Sequence, residues 1–114
     1  MLAFLPEEER NAILRHHEFK RFTKETITTR EVFGQEMEKI RVTGYALDRG
    51  EDIEGINCAA APVLDLRKYP VAALTVTGPS FRMPLSDLPR IGKLVQEHAN
   101  QIAIKFCGST FFDN

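Results

Sequence analysis

At 114 residues, 43% apolar and 27% charged, the chain has material for one hydrophobic core and no more. Fifteen basic residues against sixteen acidic ones leave a net charge of −1, and no stretch concentrates Lys and Arg. Composition therefore carries no electrostatic footprint for nucleic acid.

The opening "MLAFLPEEER" lacks the basic n-region of a signal peptide, and its apolar run stops at Pro6. No apolar run approaches the about 20 residues that cross a bilayer. The sequence reads as a cytoplasmic domain.

Pro6 followed by Glu7, Glu8 and Glu9 marks a helix start, with acids where the helix dipole favours them. Ala12, Ile13 and Leu14 give this helix an apolar edge that fades near His17. Thr28 and Glu31 have the spacing of a capping box. Phe33, Met37 and Ile40 then fall on one face of a second helix, which Gly44 closes.

Beyond Gly44 the period changes. "YALD" is a short strand, "RGEDIEG" a loop, Ile56–Asp65 a strand, "LRKY" a turn and Pro70–Thr77 a further strand. Ser86 and Asp87 cap a long final helix with Pro89 in its first turn. Its buried stripe is expected at Ile91, Leu94, Val95, His98, Ile102 and Phe106, with Gly108 ending it and Phe111–Phe112 exposed in the tail. The fold class is α+β: an antiparallel sheet with helices on its faces.

The connection between the two longer strands is short, so they form an antiparallel hairpin. With the turn centred between Arg67 and Lys68, Cys58 falls opposite Thr77, Ala60 opposite Thr75 and Pro62 opposite Ala73. Side chains alternate, so Cys58, Ala60, Thr75 and Thr77 share one face, while Ala59, Ala61, Val63, Leu74 and Val76 form the other. An odd turn length would scatter the set. A thiol and two hydroxyls around alanines describe a polar floor with room above it, or else a plain solvated strand face. Asp48 ends the preceding strand beside it, and Glu51, Asp52 and Glu54 form either a rim or a solvated loop.

Cys58 and Cys107 lie far apart, outside any CxxC or Cys/His cluster, and read as reduced thiols. The adjacent His16 and His17 diverge on a helix and make a poor chelating pair, so no metal or cofactor is expected.

"GYALDRGEDIEGINCAAAPVLD" followed by "YPVAALTVTGPSFR" resembles the effector-binding domain of the IclR-type bacterial transcriptional regulators. The pattern Gly-Tyr-x-x-Asp, acidic stretch, Gly-x-x-Cys-x-Ala-Ala-Pro-Val and Thr-x-Thr-Gly-Pro is carried by Gly44, Tyr45, Asp48, Gly55, Cys58, Ala60, Ala61, Pro62, Val63, Thr75, Thr77, Gly78 and Pro79. The resemblance implies a GAF-like, profilin-like fold, partial at its N-terminus across residues 1–114. It implies a small effector, often a carboxylate, held at Asp48, Cys58, Thr75 and Thr77. It also implies a parent protein that self-associates and meets DNA through an N-terminal winged helix-turn-helix domain.

Two departures stand out. Gly50 displaces the second acid of the family's usual acidic pair, and threonines stand where relatives often carry serines. The added methyls shrink the cavity or tilt it towards a less polar ligand. Two other readings stay open: an oligomerisation module without a ligand, and a small enzyme with Cys58 as nucleophile, which would need an activating base within reach.

The balanced charge yields a first prediction. In a fluorescence anisotropy titration, residues 1–114 alone should show no sequence-specific binding to an operator of the parent regulator. Salt-sensitive, specific binding below micromolar concentration would contradict it.

Overall fold

In the computed structural model, residues 1–107 are described, the side chain of Cys107 excepted. A 3-10 turn at Leu2–Phe4 precedes helices α1 (Glu7–Arg15) and α2 (Arg30–Thr43). Strands β1 (Ala46–Arg49), β2 (Ile56–Leu64) and β3 (Pro70–Pro79) follow, then a 3-10 turn at Leu85–Asp87 and helix α3 (Leu88–Cys107). The sheet is antiparallel in the order β1-β2-β3, so the α+β class expected from the sequence holds.

Local signals account for most boundaries. The α2 cap is Thr29 rather than Thr28: its extended backbone lets Oγ1 accept from the Val32 amide at 3.3 Å. With two threonines side by side, the cap falls one residue later than the capping-box spacing predicts. Gly44 closes α2 in the left-handed region at φ 87°, where its amide donates to the Ile40 carbonyl. Met37 is buried with Phe33 and Ile40 beside it, as their spacing predicted. Helix α1 buries no residue, and Ile13 is exposed, so its apolar edge is not a core face.

The hairpin register runs as the turn arithmetic gave it from Ile56↔Pro79 to Val63↔Ala72. It slips by one at Leu64↔Pro70, where an irregularity precedes the turn. Lys68 takes a positive φ of 63° in that turn, and Asp65 accepts from the Arg67 and Tyr69 amides.

The core lies between α3 and one sheet face. Ala59, Ala61 and Val63 meet Val95, Ala99 and Ala103, with Tyr45, Leu47, Leu74, Ile91 and Ile102 packed around them. The α3 stripe is therefore shifted from the expected one. Val95 is buried and Ile91 and Ile102 partly so, but Leu94 and His98 are exposed and Phe106 is 74% exposed. Small residues took the central positions because alanines on β2 draw the helix close, and large side chains cannot enter that gap.

Val76 points to the same face yet stays 41% exposed, whereas Leu74 on the same strand packs against the core. The expected helix end at Gly108 and the Phe111–Phe112 pair lie outside the described residues. No described helix is long and apolar enough to cross a membrane.

The close approach of α3 to the sheet is marked at Gly92. A Cβ there would stand 2.5 Å from the Tyr45 ring, too near for any relaxed contact. Gly92→Ala should therefore lose about 1–3 kcal/mol of stability through overpacking, read as a lower midpoint in urea denaturation. An unchanged midpoint would show that the ring moves aside freely.

Candidate functional site

The face of the sheet opposite α3 brings together the four residues singled out in the sequence. Strand pairing sets Asp48 opposite Cys58 and Cys58 opposite Thr77, so these three form one row across all three strands. The neighbouring row on the same face is Ala46, Ala60 and Thr75. Acid, thiol and two hydroxyls thus sit on an alanine background with no bulky side chain among them.

The floor is open. Thr75 and Thr77 are exposed, and Asp48 and Cys58 are half-buried. Further along the face, Ile40 of α2 and the N-terminal turn come down over Ala46, Ala60 and Ala73, leaving a cavity of about 30 Å³. Small residues therefore serve two ends of one face: they admit the N-terminal turn at one end and leave clear surface at the other.

Thr77 Oγ1 donates to Cys58 Sγ at 3.4 Å, a weak bond between neighbouring strands. Cys58 is a free thiol. His98 lies on α3, across the sheet, and His16 and His17 lie at the surface near α1, so none of the three histidines stands beside Cys58 as an activating base. Among the described residues no group of three or more His, Cys, Asp or Glu side chains is arranged to hold a metal ion.

Asp48 has a task that the sequence did not reveal. Its Oδ1 accepts from the Glu51 amide at 2.8 Å, while Glu51 Oε2 accepts from the Arg49 amide at 3.2 Å. The two acids brace the start of the loop reciprocally, and Gly50 turns it at φ 72°. From the connection before α2, Thr23 and Thr26 donate to the Gly50 and Glu51 carbonyls. Arg49 also reaches Glu36 of α2, with 3.7 Å between nitrogen and oxygen. The acidic loop is thus a built rim at Glu51, whereas Asp52 and Glu54 are solvent-exposed.

Asn57 was also missed. It is 3% exposed, and its Nδ2 donates to the Met83 carbonyl at 2.8 Å. Met83 in turn packs so closely on Gly78 that a Cβ there would stand 2.6 Å from its sulfur. This fixes the end of the hairpin beneath Thr77. A polar residue on the apolar-facing side of a strand was the only available signal, and its partner is distant in sequence.

Burial holds the Glu51 carboxyl above its ordinary range; the Arg49 amide opposes this, and the Asp48 and Glu36 charges add to it. A raised folded-state value means that folding favours the protonated form. The charged form therefore costs stability at neutral pH, and that cost fades as pH falls through the folded value towards the ordinary 4.5. Glu51→Gln, which keeps an oxygen for the Arg49 amide, should melt higher than the parent chain at pH 7. The gain should shrink at pH 5. Parallel thermal melts decide it, and an equal gain at both values would contradict the assignment.

Comparison with known proteins places most of the chain in one family. The family model described as the C-terminal domain of the bacterial transcriptional regulator IclR matches residues 1–104. The HTH-type transcriptional regulator BhcR of Paracoccus denitrificans is 35% identical over 91 residues, covering 80% of this chain and 33% of that protein. The crystal structure of Thermotoga maritima IclR superposes with a TM-score of 0.83 at 36% identity, over 91% of this chain and 42% of that one. The inducer-binding domain of the transcription factor PobR from Acinetobacter, a double mutant in complex with 3-hydroxybenzoic acid, gives a TM-score of 0.78 at 26% identity. That match covers 90% of this chain and 59% of that domain. The chain spans about a third of the length of the curated relative BhcR.

Proposed function

The chain belongs to the family of bacterial transcriptional regulators that share the IclR C-terminal domain, and from that premise we propose that residues 1–114 sense a small organic carboxylate on behalf of a DNA-binding parent protein. The observation that carries the reading is the row Asp48–Cys58–Thr77 with Thr75 alongside, on an alanine floor. The family match is to regulators, so Cys58 is read as a binding thiol and not as the nucleophile of an enzyme.

The chemistry divides the ligand into two ends. Thr75 and Thr77 donate hydroxyl hydrogens to a carboxylate. Thr77 gives up a weak sulfur acceptor for a charged oxygen, which strengthens the bond. The carboxylate keeps away from Asp48, whose charge would repel it. Asp48 spends one oxygen on the Glu51 amide and offers the other to a hydroxyl or amine of the effector. Cys58 between them contributes a small, polarisable surface.

PobR bound to 3-hydroxybenzoic acid supplies a relative whose ligand carries both a carboxylate and a hydroxyl. The threonine methyls here favour an effector with an apolar part beside its acid group.

Regulation follows from the rim. A ligand that engages Asp48 pulls on the atom that braces the Glu51 loop, and through Thr23 and Thr26 on the connection before α2. Occupancy then favours one arrangement of the parent's domains, and DNA affinity changes at its N-terminal domain.

A thermal-shift screen of small carboxylic acids on the full-length regulator, followed by calorimetry on the best ligand, tests the reading. Thr77→Val should weaken binding by about 1–3 kcal/mol by leaving a ligand oxygen without its donor. Cys58→Ser should keep the fold and lose little affinity. Undiminished affinity in Thr77→Val would show that the ligand sits elsewhere.

A further inference from the structure

The connection between α1 and α2 holds a short piece that is folded upon itself. Residues 21–28 form neither helix nor strand, and side chains bond much of their backbone instead. Arg21 donates to the Thr23 carbonyl at 3.1 Å, the Lys24 carbonyl at 2.8 Å and the Thr28 hydroxyl at 3.5 Å. The Thr26 hydroxyl accepts from the Phe22 amide at 3.1 Å and the Thr23 amide at 2.9 Å. The Thr23 hydroxyl accepts from the Glu25 amide at 3.0 Å. Each hydroxyl oxygen is thereby fixed from behind, and its hydrogen is left to point outward. Both hydrogens go to one loop: Thr23 donates to the Gly50 carbonyl and Thr26 to the Glu51 carbonyl.

We propose that Thr23 and Thr26 are positioning residues of the effector site, and that they set its preference for a hydroxylated acid over the plain acid of the same skeleton. The inference rests on the effector reading and adds to it the residues that govern selectivity. Both hydroxyls reach the loop and not the alanine floor, so they act through the partner of Asp48.

One peptide group joins Thr23 to Asp48. The Gly50 carbonyl that accepts from Thr23 and the Glu51 amide that donates to Asp48 Oδ1 belong to the same planar unit and point in opposite directions. Fixing the carbonyl fixes the amide, and the bond that the carbonyl accepts polarises the amide into a better donor. Gly50, at φ 72°, leaves this peptide free to rotate without such a hold. Thr26 secures the next carbonyl along, that of Glu51. Asp48 thus keeps Oδ1 engaged and its other oxygen directed, and a hydroxyl or amine of the effector meets an acceptor already ordered. The acid end of the effector is assigned to Thr75 and Thr77 on β3, outside this loop. Losing the hold therefore weakens one end of the ligand alone.

Thr23→Val and Thr26→Val remove a hydroxyl at nearly constant volume, while Thr23→Ser and Thr26→Ser keep it. In the full-length regulator, hydrogen exchange of the Glu51 amide should quicken about five- to tenfold in the Val variants and stay near wild type in the Ser variants. Exchange in β2 and α3 should not change, which shows that the fold is kept. Calorimetry with 3-hydroxybenzoate and benzoate reads the selectivity. The preference for the hydroxylated acid should fall about fivefold in the Val variants and return in the Ser variants, with the affinity for benzoate holding throughout. A Glu51 amide that exchanges as in wild type, an equal loss of both acids, or Ser variants as poor as the Val variants would each overturn the proposal. A wild type that binds neither acid counts against the effector reading, while the exchange readout still decides the hold on Asp48.

Discussion

The close seating of α3 on β2 is the constraint from which the rest of this domain follows. Alanine at positions 59 and 61 faces Ala99 and Ala103, and Gly92 admits the Tyr45 ring, so helix and sheet approach without large side chains between them. Dense contact at short range supports the core of a small domain in place of bulky residues. It also fixes parity. Once Ala59, Ala61 and Val63 face the helix, Cys58 and Ala60 must face the other way, and a slip of one residue would bury the thiol and expose the core.

The same run of alanines therefore answers to two demands. On the α3 face, small side chains close a gap. On the opposite face they leave one, and Asp48, Cys58, Thr75 and Thr77 occupy it without steric competition. A strand of Val and Ile would have filled both faces and left no floor.

The rim holds Asp48, the acid of the proposed site, in a fixed position. Asp48 is fixed by the amide of Glu51, Glu51 by the amide of Arg49, and the loop by two threonine hydroxyls from a segment some 25 residues earlier. A half-buried acid among acids is a cost, and it persists because each partner's backbone is satisfied by it. Under the proposed function, an acid fixed in advance reduces the ordering that a ligand must impose.

Elements that rest on local chemistry are readable along the chain. Gly44 ended α2, the short turn imposed antiparallel pairing, and alternation placed Cys58 with Thr77 and Ala60 with Thr75, because these depend on neighbours along the chain or across one turn. The family, too, was legible in the spacing of Gly44, Asp48, Cys58 and Thr75–Pro79, and the match over residues 1–104 bears it out. Tertiary structure alone decided the rest. Periodicity marked Leu94, His98 and Phe106 as core because they are large or lie at the right interval. Packing chose Ala99 and Ala103, since the depth of the gap is set by β2 and not by the helix. Likewise Asp48's bond to Glu51, Asn57's bond to Met83 and the exposure of Val76 depend on which surfaces meet in space. No pattern along the chain encodes that meeting.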